Sequence, residues 1–537
     1  MIREKAAWLV MLLSLFWSGA ASAELLFPHA GSTSAPSGRG SFRFGAATAA
    51  TQIEDKNTFT DWYAWTSPPP FGLGRGEFVD SAAMGYSLSL QDVSLIEAMH
   101  LDSYRFGVEW ARVEPEMGRF DEEALKHYSD LVDQLLASGI TPMITLHHFA
   151  IPIWVDDPRK PASCPEGPQK DNLCGFANPE GMEKILDEAS AYACTLGKRL
   201  GDRVDDWITL NEPINFLISH YGGAGASPGR DILRREGYEG LSRVLANLVR
   251  LHVAFYNALK ACDTVDADGD GMAASVGLTL AVVDYTSSRD HAISHRPDDI
   301  AAASRVRHFY HYLFADAVTK GMDATATGGR LGPLRAEWQG KLDWLGVQYY
   351  PRLGVSARIE DDLELQSPMA QVPGVKAEVC MGGQRQQACF PPEDPSHWVP
   401  AMQYEFYEPG LFEILQQYTR RYPRLPLLIT ETGIATDVGM RRAQHVVRTL
   451  EQTHKAMQAG VDVRGLYHWS LLDNFEWGLG FRPHFGLYSV DRQTFERTPT
   501  MGALVLGQIA QRRAVSTLMQ LFLGGTGPMA PETGAEN

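Results

Sequence analysis

Short apolar runs alternate along the chain with longer stretches in which apolar residues recur at helical spacing. The short runs fall at 42–50, 103–110, 140–148, 205–210, 275–283, 343–349, 426–431 and 464–470, and they read as buried strands. The amphipathic stretches between them include 121–138, 179–200, 238–262, 298–320, 409–421 and 440–459. Parallel strands need helical crossovers, so this alternation predicts an α/β protein, a closed (β/α)8 barrel in a single domain. A doubly wound open sheet is the alternative. In a barrel of this kind functional groups gather at the carboxyl ends of the strands.

Two of the runs end in a carboxylate at that position. Trp207-Ile208-Thr209-Leu210-Asn211-Glu212 is closed by Pro213, which cannot continue a strand, and Leu427-Leu428-Ile429-Thr430-Glu431 is followed by Thr432-Gly433. Either Glu alone could simply begin a solvated loop. Two carboxylates, each delivered by its own buried strand, are the minimal equipment for breaking a glycosidic bond. Other strand ends add polar and aromatic groups: Gln52 and Glu54, Arg105 inside an apolar run, His147-His148, Tyr349-Tyr350, and the stretch from Tyr467 to Trp477. That mixture suits sugars, with aromatic faces for C–H surfaces and amides and carboxylates for hydroxyls. Arg105 needs a buried carboxylate partner, and His147 reads as packing.

Composition narrows the setting. A formal net charge of −17 argues against nucleic acid or an anionic membrane as partner. Arg3 and Lys5 precede an apolar run from Ala6 to Trp17 that ends in Ala21-Ser22-Ala23, so residues 1–23 read as a secretory signal, with an uncleaved anchor as the competing reading. Residues 24–40 read as a flexible lead-in, 41–515 as the barrel domain and 516–537 as a disordered tail. Export to the periplasm or medium makes the six cysteines interpretable. Cys164 with Cys174, and Cys380 with Cys389, each close a short loop and are expected as disulfides. Cys194 and Cys262 lie in helical patterns and read as buried free thiols, with a bond between them as the alternative. The irregular segment 351–407 is expected to wall or cover the site. Asp266-Ala267-Asp268-Gly269-Asp270-Gly271 has the look of a calcium loop, but Gly277 stands where the bidentate Glu belongs, so a plain acidic turn is expected and no metal or cofactor is assigned.

Four motifs carry a family resemblance. FRFGAATAATQIE at 42–54, TLNEP at 209–213, ITETG at 429–433, and WSLLDNFEW at 469–477 with FGLYSVD at 485–491 resemble the signatures of glycoside hydrolase family 1, the retaining β-glucosidase family. The resemblance covers roughly 42–505. It implies that Glu431 is the nucleophile and Glu212 the acid/base, with Arg105 and Tyr350 tuning Glu431 and Asn211 on the 2-hydroxyl. It further implies that Gln52, His148, Glu476, Trp477 and Phe485 hold the sugar over Trp469. The substrate would be a small β-glycoside or oligosaccharide, hydrolysed without a cofactor, and the carboxylate of Glu476 favours a free 6-hydroxyl over a 6-phosphate. Three positions depart from the family pattern: Thr432 replaces Asn, Phe149 replaces the common Trp, and Gln348 replaces Asn. Phe149 with Val108-Glu109-Trp110 is similar to the branch holding archaeal broad-specificity β-glycosidases. A transglycosylase and a non-catalytic sugar- or receptor-binding relative are the rival readings.

Overall fold

The computed structural model describes residues 23–324, 333–382 and 385–532. Eight strands form the centre: β1 (Arg43–Ala47), β2 (Ser103–Gly107), β3 (Thr141–His147), β4 (Asp206–Asn211), β5 (Ser275–Arg289), β6 (Trp344–Ser356), β7 (Leu427–Thr432) and β8 (Val463–Trp469). Each pairs in parallel with the next, and β8 pairs with β1, which closes the barrel. The open-sheet alternative is thereby removed. Every expected strand is present, because strands enclosed by helices outside and side chains inside read as apolar runs, but β5 and β6 continue beyond the expected 283 and 349 to Arg289 and Ser356.

The helices lie outside, in chain order α1 (Ser89–Ala98), α2 (Glu122–Ala137), α3 (Pro179–Leu200), α4 (Ile232–Cys262), α5 (Pro297–Arg307), α6 (Leu313–Lys320), α7 (Glu408–Arg421), α8 (Gly439–Gln458) and α9 (Met501–Arg512). Their starts are written locally. Asp121 accepts from the backbone N–H groups of Glu123 and Ala124 at 2.9 Å, and Asn178 accepts from Glu180 N–H at 2.9 Å ahead of Pro179. Lys198 and Arg199 then occupy the last turn of α3, where the helix dipole favours cations. No helix among the described residues is long and apolar enough to cross a membrane.

Three expectations need correction or extension. Cys194 on α3 and Cys262 on α4 are bonded to each other, not free, as are Cys164 with Cys174 and Cys380 with Cys389. The α3–α4 packing brings two helix-borne sulfurs together across 68 residues of chain, which no local pattern reveals. The lead-in is ordered: Leu25–Leu26 pairs with Ala514–Val515, and Phe27 is buried against Phe42 and Phe44. The expected tail is also ordered as far as it is described. Thr517–Leu523 is a helix capped by Ser516, Met529 is buried, and Glu532 pairs with Arg441 at 2.7 Å and accepts from Thr436. Burial of Arg441, a cation needing a partner, holds the polar tail down. The segment expected to be a secretory signal, apart from Ala23, lies outside the described residues.

Residues 266–271 form a turn ahead of β5, and one carboxylate oxygen each of Asp205, Asp266 and Asp268 lie within 4.8 Å of one another, a grouping that could hold a metal ion. Asp266, Asp268 and Asp270 each accept backbone N–H groups within the turn, while Asp205 accepts from Ala267 and Asp268. Gly277 sits inside β5.

Candidate active site

Glu212 leaves the tip of β4 in a left-handed conformation, φ 43° and ψ 59°, immediately before the proline that starts the next helical turn. A non-glycine residue there costs on the order of 1 kcal/mol or more and is held by its surroundings. Its N–H donates to Thr279 O at 3.0 Å across to β5, and Asn215 Nδ2, one turn on, donates to Oε2 at 2.8 Å. Glu431 projects from β7. Its Oε1 accepts from Arg105 Nη1 at 2.6 Å and Gln348 Nε2 at 2.7 Å, and its Oε2 accepts from the Tyr350 hydroxyl at 2.9 Å. Arg105, on β2 and fully buried, has found the carboxylate its position demanded.

The two carboxyl groups are differently held. Burial pushes Glu212 up first and the charge of Glu431 adds to it, with Asn215 and Arg105 opposing, so that it reaches about 8. Burial raises Glu431 as well, but a guanidinium and a phenol bond directly to its charged form. Glu431 therefore ionises first and Glu212 keeps its proton. A pair of carboxyl groups set apart in this way can supply one nucleophile and one acid.

Asn211 fixes the ground between them. Its Oδ1 accepts from Arg105 Nη2 at 2.6 Å, Gln348 Nε2 at 2.8 Å and Thr279 Oγ1 at 3.1 Å, and its Nδ2 donates to His148 Nε2 at 3.1 Å. His148 must then be neutral, and burial, followed by Arg105, holds it well below the ordinary imidazole range. Its ring lies nearly parallel to those of Trp469 and Trp477, with centroids 5.6 and 6.0 Å away. Gln52 Nε2 reaches Phe475 O at 2.8 Å and Glu476 Oε2 at 3.3 Å, leaving its buried Oε1 without a protein partner. Glu476 is pushed to about 8 by burial and then by Glu431.

These side chains open into one cavity of about 630 Å³ at the carboxyl ends of the strands. All the residues given a role by the family resemblance line it except Arg105, which lies behind Glu431, whereas Glu54, held by Arg112 and Tyr128, and Tyr349, bonded to Tyr407 O, lie outside it. Phe485 meets the Tyr350 ring edge-on at 6.0 Å. His147 packs edge-on against Phe216 and stays out of the cavity, as expected. Phe149, with φ 66°, also lines the cavity, whereas Thr432 is buried against His445. The segment 351–407 does form a wall, through Val379, Met381, Met402 and Tyr404. Sequence reasoning noted Gln348 only as a departure; the structure makes it a bridge between Asn211 and Glu431. Asn215 was missed, although its place three residues after Glu212, beyond a helix-starting proline, was a usable signal. Tyr310 and Tyr404 carried none.

Comparison with known proteins agrees with this geometry. Residues 37–514 match the model of glycosyl hydrolase family 1. The chain is 28% identical over 504 residues to a β-galactosidase of Pyrococcus woesei, covering 85% of this chain and 94% of that one. It is 28% identical over 481 residues to β-glucosidase A of Thermotoga maritima, with 85% and 94% covered. Among solved structures, a β-glycosidase from Pyrococcus horikoshii superposes with a TM-score of 0.72 at 28% identity, covering 92% of this chain and 99% of that one. A family match over most of the chain, on a closed barrel with two carboxylates at its strand ends, places the protein in glycosyl hydrolase family 1.

Proposed function

We propose that this β-glycosidase removes terminal β-D-glucosyl residues, and β-galactosyl and β-fucosyl residues as further substrates, with Glu431 as nucleophile and Glu212 as acid/base. Glu431 attacks the anomeric carbon while the bond to the leaving oxygen breaks and Glu212 gives that oxygen its proton. The glycosyl ester so formed no longer carries the Glu431 charge, so the Glu212 carboxyl loses the repulsion that kept it protonated. It then takes a proton from water, whose oxygen attacks the anomeric carbon and releases the sugar with retained configuration. The observation that carries this reading is the unequal hold on the two carboxyl groups: three donors on Glu431, and a single amide on Glu212.

Arg105 and Tyr350 keep Glu431 ionised and aimed, and Asn211 is positioned for the 2-hydroxyl. Gln52, His148, Glu476 and Trp477 supply the remaining hydroxyl contacts over Trp469, with Phe485 at the edge. Among the described residues lining the cavity there is no Lys or Arg, which supports a free 6-hydroxyl rather than a 6-phosphate. An added alcohol would compete with water for the glycosyl ester, so transglycosylation is open to the same intermediate. Export to the periplasm or medium completes the reading, supported by the N-terminal pattern and the three disulfides.

The test is initial rates of residues 24–537 on aryl β-D-glucoside, galactoside, fucoside, mannoside and 6-phosphoglucoside, with Glu431→Ala as the blank. Turnover of the unphosphorylated glucoside, absent in the blank, is expected. Equal turnover by Glu431→Ala, or preference for the 6-phosphoglucoside, would overturn the assignment.

A further inference from the structure

The helix Thr517–Leu523 is apolar at every position but Thr517 and Gln520, a composition that belongs inside a core. Only one side of it is covered. Met519 and Leu523 pack on the core, while Leu518, Leu521 and Phe522, at the i, i+3, i+4 spacing of a single helical face, are exposed. Leu26 joins them. Its strand Leu25–Leu26 pairs with Ala514–Val515 just ahead of the helix, Leu25 packing inward and Leu26 facing out. The four outward side chains are between 65% and 72% exposed. Single exposed apolar residues are ordinary, but a group of large ones marks a surface that meets a partner.

Position and charge say what it meets. Phe27 packs on Phe42 and Arg513 pairs with Asp102, so this corner lies at the amino ends of β1 and β2, across the barrel from the cavity. Gln520 Nε2 donates to Ala23 O at 3.0 Å, so the chain enters the described structure directly against the helix. Residues 1–22, which lead to that point, include the apolar run from Ala6 to Trp17 behind Arg3 and Lys5, a sequence of the kind that engages lipid. The corner is also poor in acid. Residues 497–531 hold no Asp or Glu, although the whole chain has 65. Glu24 is offset by Arg512, exposed on the last turn of α9. A second copy of the chain would cover the patch but leave the neighbouring apolar run and the lack of acid without a reason. A lipid surface accounts for all three.

We propose that Leu26, Leu518, Leu521 and Phe522 form a docking surface for a zwitterionic lipid bilayer, leaving the cavity mouth on the opposite face of the barrel open to solution. The contact is peripheral and independent of the sugar chemistry. Four side chains bind reversibly, and an apolar segment retained at the N-terminus would add the second attachment that stable anchoring takes.

Flotation of the full chain and of residues 24–537 with phosphatidylcholine vesicles tests it. Both should float with the vesicles. Partition should weaken about 10-fold for each large side chain withdrawn from lipid, so Leu518→Ser should lose about 10-fold and the double variant Leu521→Ser, Phe522→Ser roughly 100-fold. All three side chains are exposed, so the variants should keep the wild-type Tm, which shows that they fold. Flotation of the full chain but not of residues 24–537, or equal partition of wild type and double variant, would overturn the proposal. So would a dimer in lipid-free sedimentation velocity that the double variant dissociates, because a second copy would then be what covers the patch.

Discussion

Glu431→Gln should lower the Glu212 carboxyl from about 8 to near 6, because the charge of Glu431 is the second cause, after burial, of its elevation. Retaining chemistry requires the two carboxyl groups about 5–5.5 Å apart. With an effective dielectric of about 20, unit charges at that spacing repel by roughly 3 kcal/mol, or about 2 pKa units. Burial remains in the variant, so the group should still titrate above an ordinary glutamate. Carbon-13 NMR of the labelled carboxyls in Glu431→Gln reads this directly. In the wild type, kcat/KM on an alkyl β-glucoside should fall above about pH 8 as Glu212 loses the proton the leaving oxygen needs. A Glu212 carboxyl that moves by less than about half a unit in Glu431→Gln would refute the reasoning. The neighbouring charge would then not be what separates acid from nucleophile, and loss of that charge could not convert the acid into a base.

Other perturbations follow from the same contacts. Gln348→Leu removes one donor shared by Glu431 and Asn211; a hydrogen bond to a charged group is worth about 1.5–3 kcal/mol, so kcat should fall roughly 10- to 100-fold. Gln348→Asn should recover part of the loss, and steady-state kinetics on one aryl glucoside decides. Asp61 is fully buried and burial raises it to about 8. Its folded-state value lies above its unfolded one, so its contribution to stability is complete below pH ~4 and is lost as pH rises toward 8. Asp61→Asn should therefore raise Tm more at pH 8 than at pH 5, and a gain that is equal at both would count against the shift. Opening the Cys194–Cys262 bond with a double Ser variant frees a 68-residue loop. Loop entropy puts the loss at about 4 kcal/mol, to be read by denaturant titration against the wild type. A loss below about 1 kcal/mol would show that the unfolded chain is not the state this bond restrains.

The eight strands were readable because each is enclosed on both sides and so had to be an apolar run. Glu212 and Glu431 were readable as a pair, since either alone could have begun a solvated loop, but two buried runs each ending in a carboxylate are the minimal equipment for glycoside cleavage. The overshoot of β5 and β6 was less visible, since beyond the rim the apolar run gives way to a mixture that includes Asp284, Tyr285, Arg352 and Leu353. The bond between Cys194 and Cys262 was left open for a related reason: each sits in a good helix, and only the packing of α3 on α4 says which faces meet.

Sequence alone thus determined the alternation of strands and helices and the two carboxyl groups at strand tips, because burial periodicity is a property of local stretches, while pairing of the last strand with the first closed the barrel over the open-sheet alternative. It also supplied Arg105, whose charge inside an apolar run demanded a partner. Tertiary structure decided which of two glutamates keeps its proton, since that depends on Arg105 and Tyr350 arriving from other strands while Asn215 alone reaches Glu212. It decided that Gln348 joins Asn211 to Glu431, and that the extended ends of β5 and β6 line the cavity with Val283, Tyr285 and Leu353. Those outcomes are set by distances between residues hundreds of positions apart, and electrostatic and packing energies follow distance in space, not order along the chain.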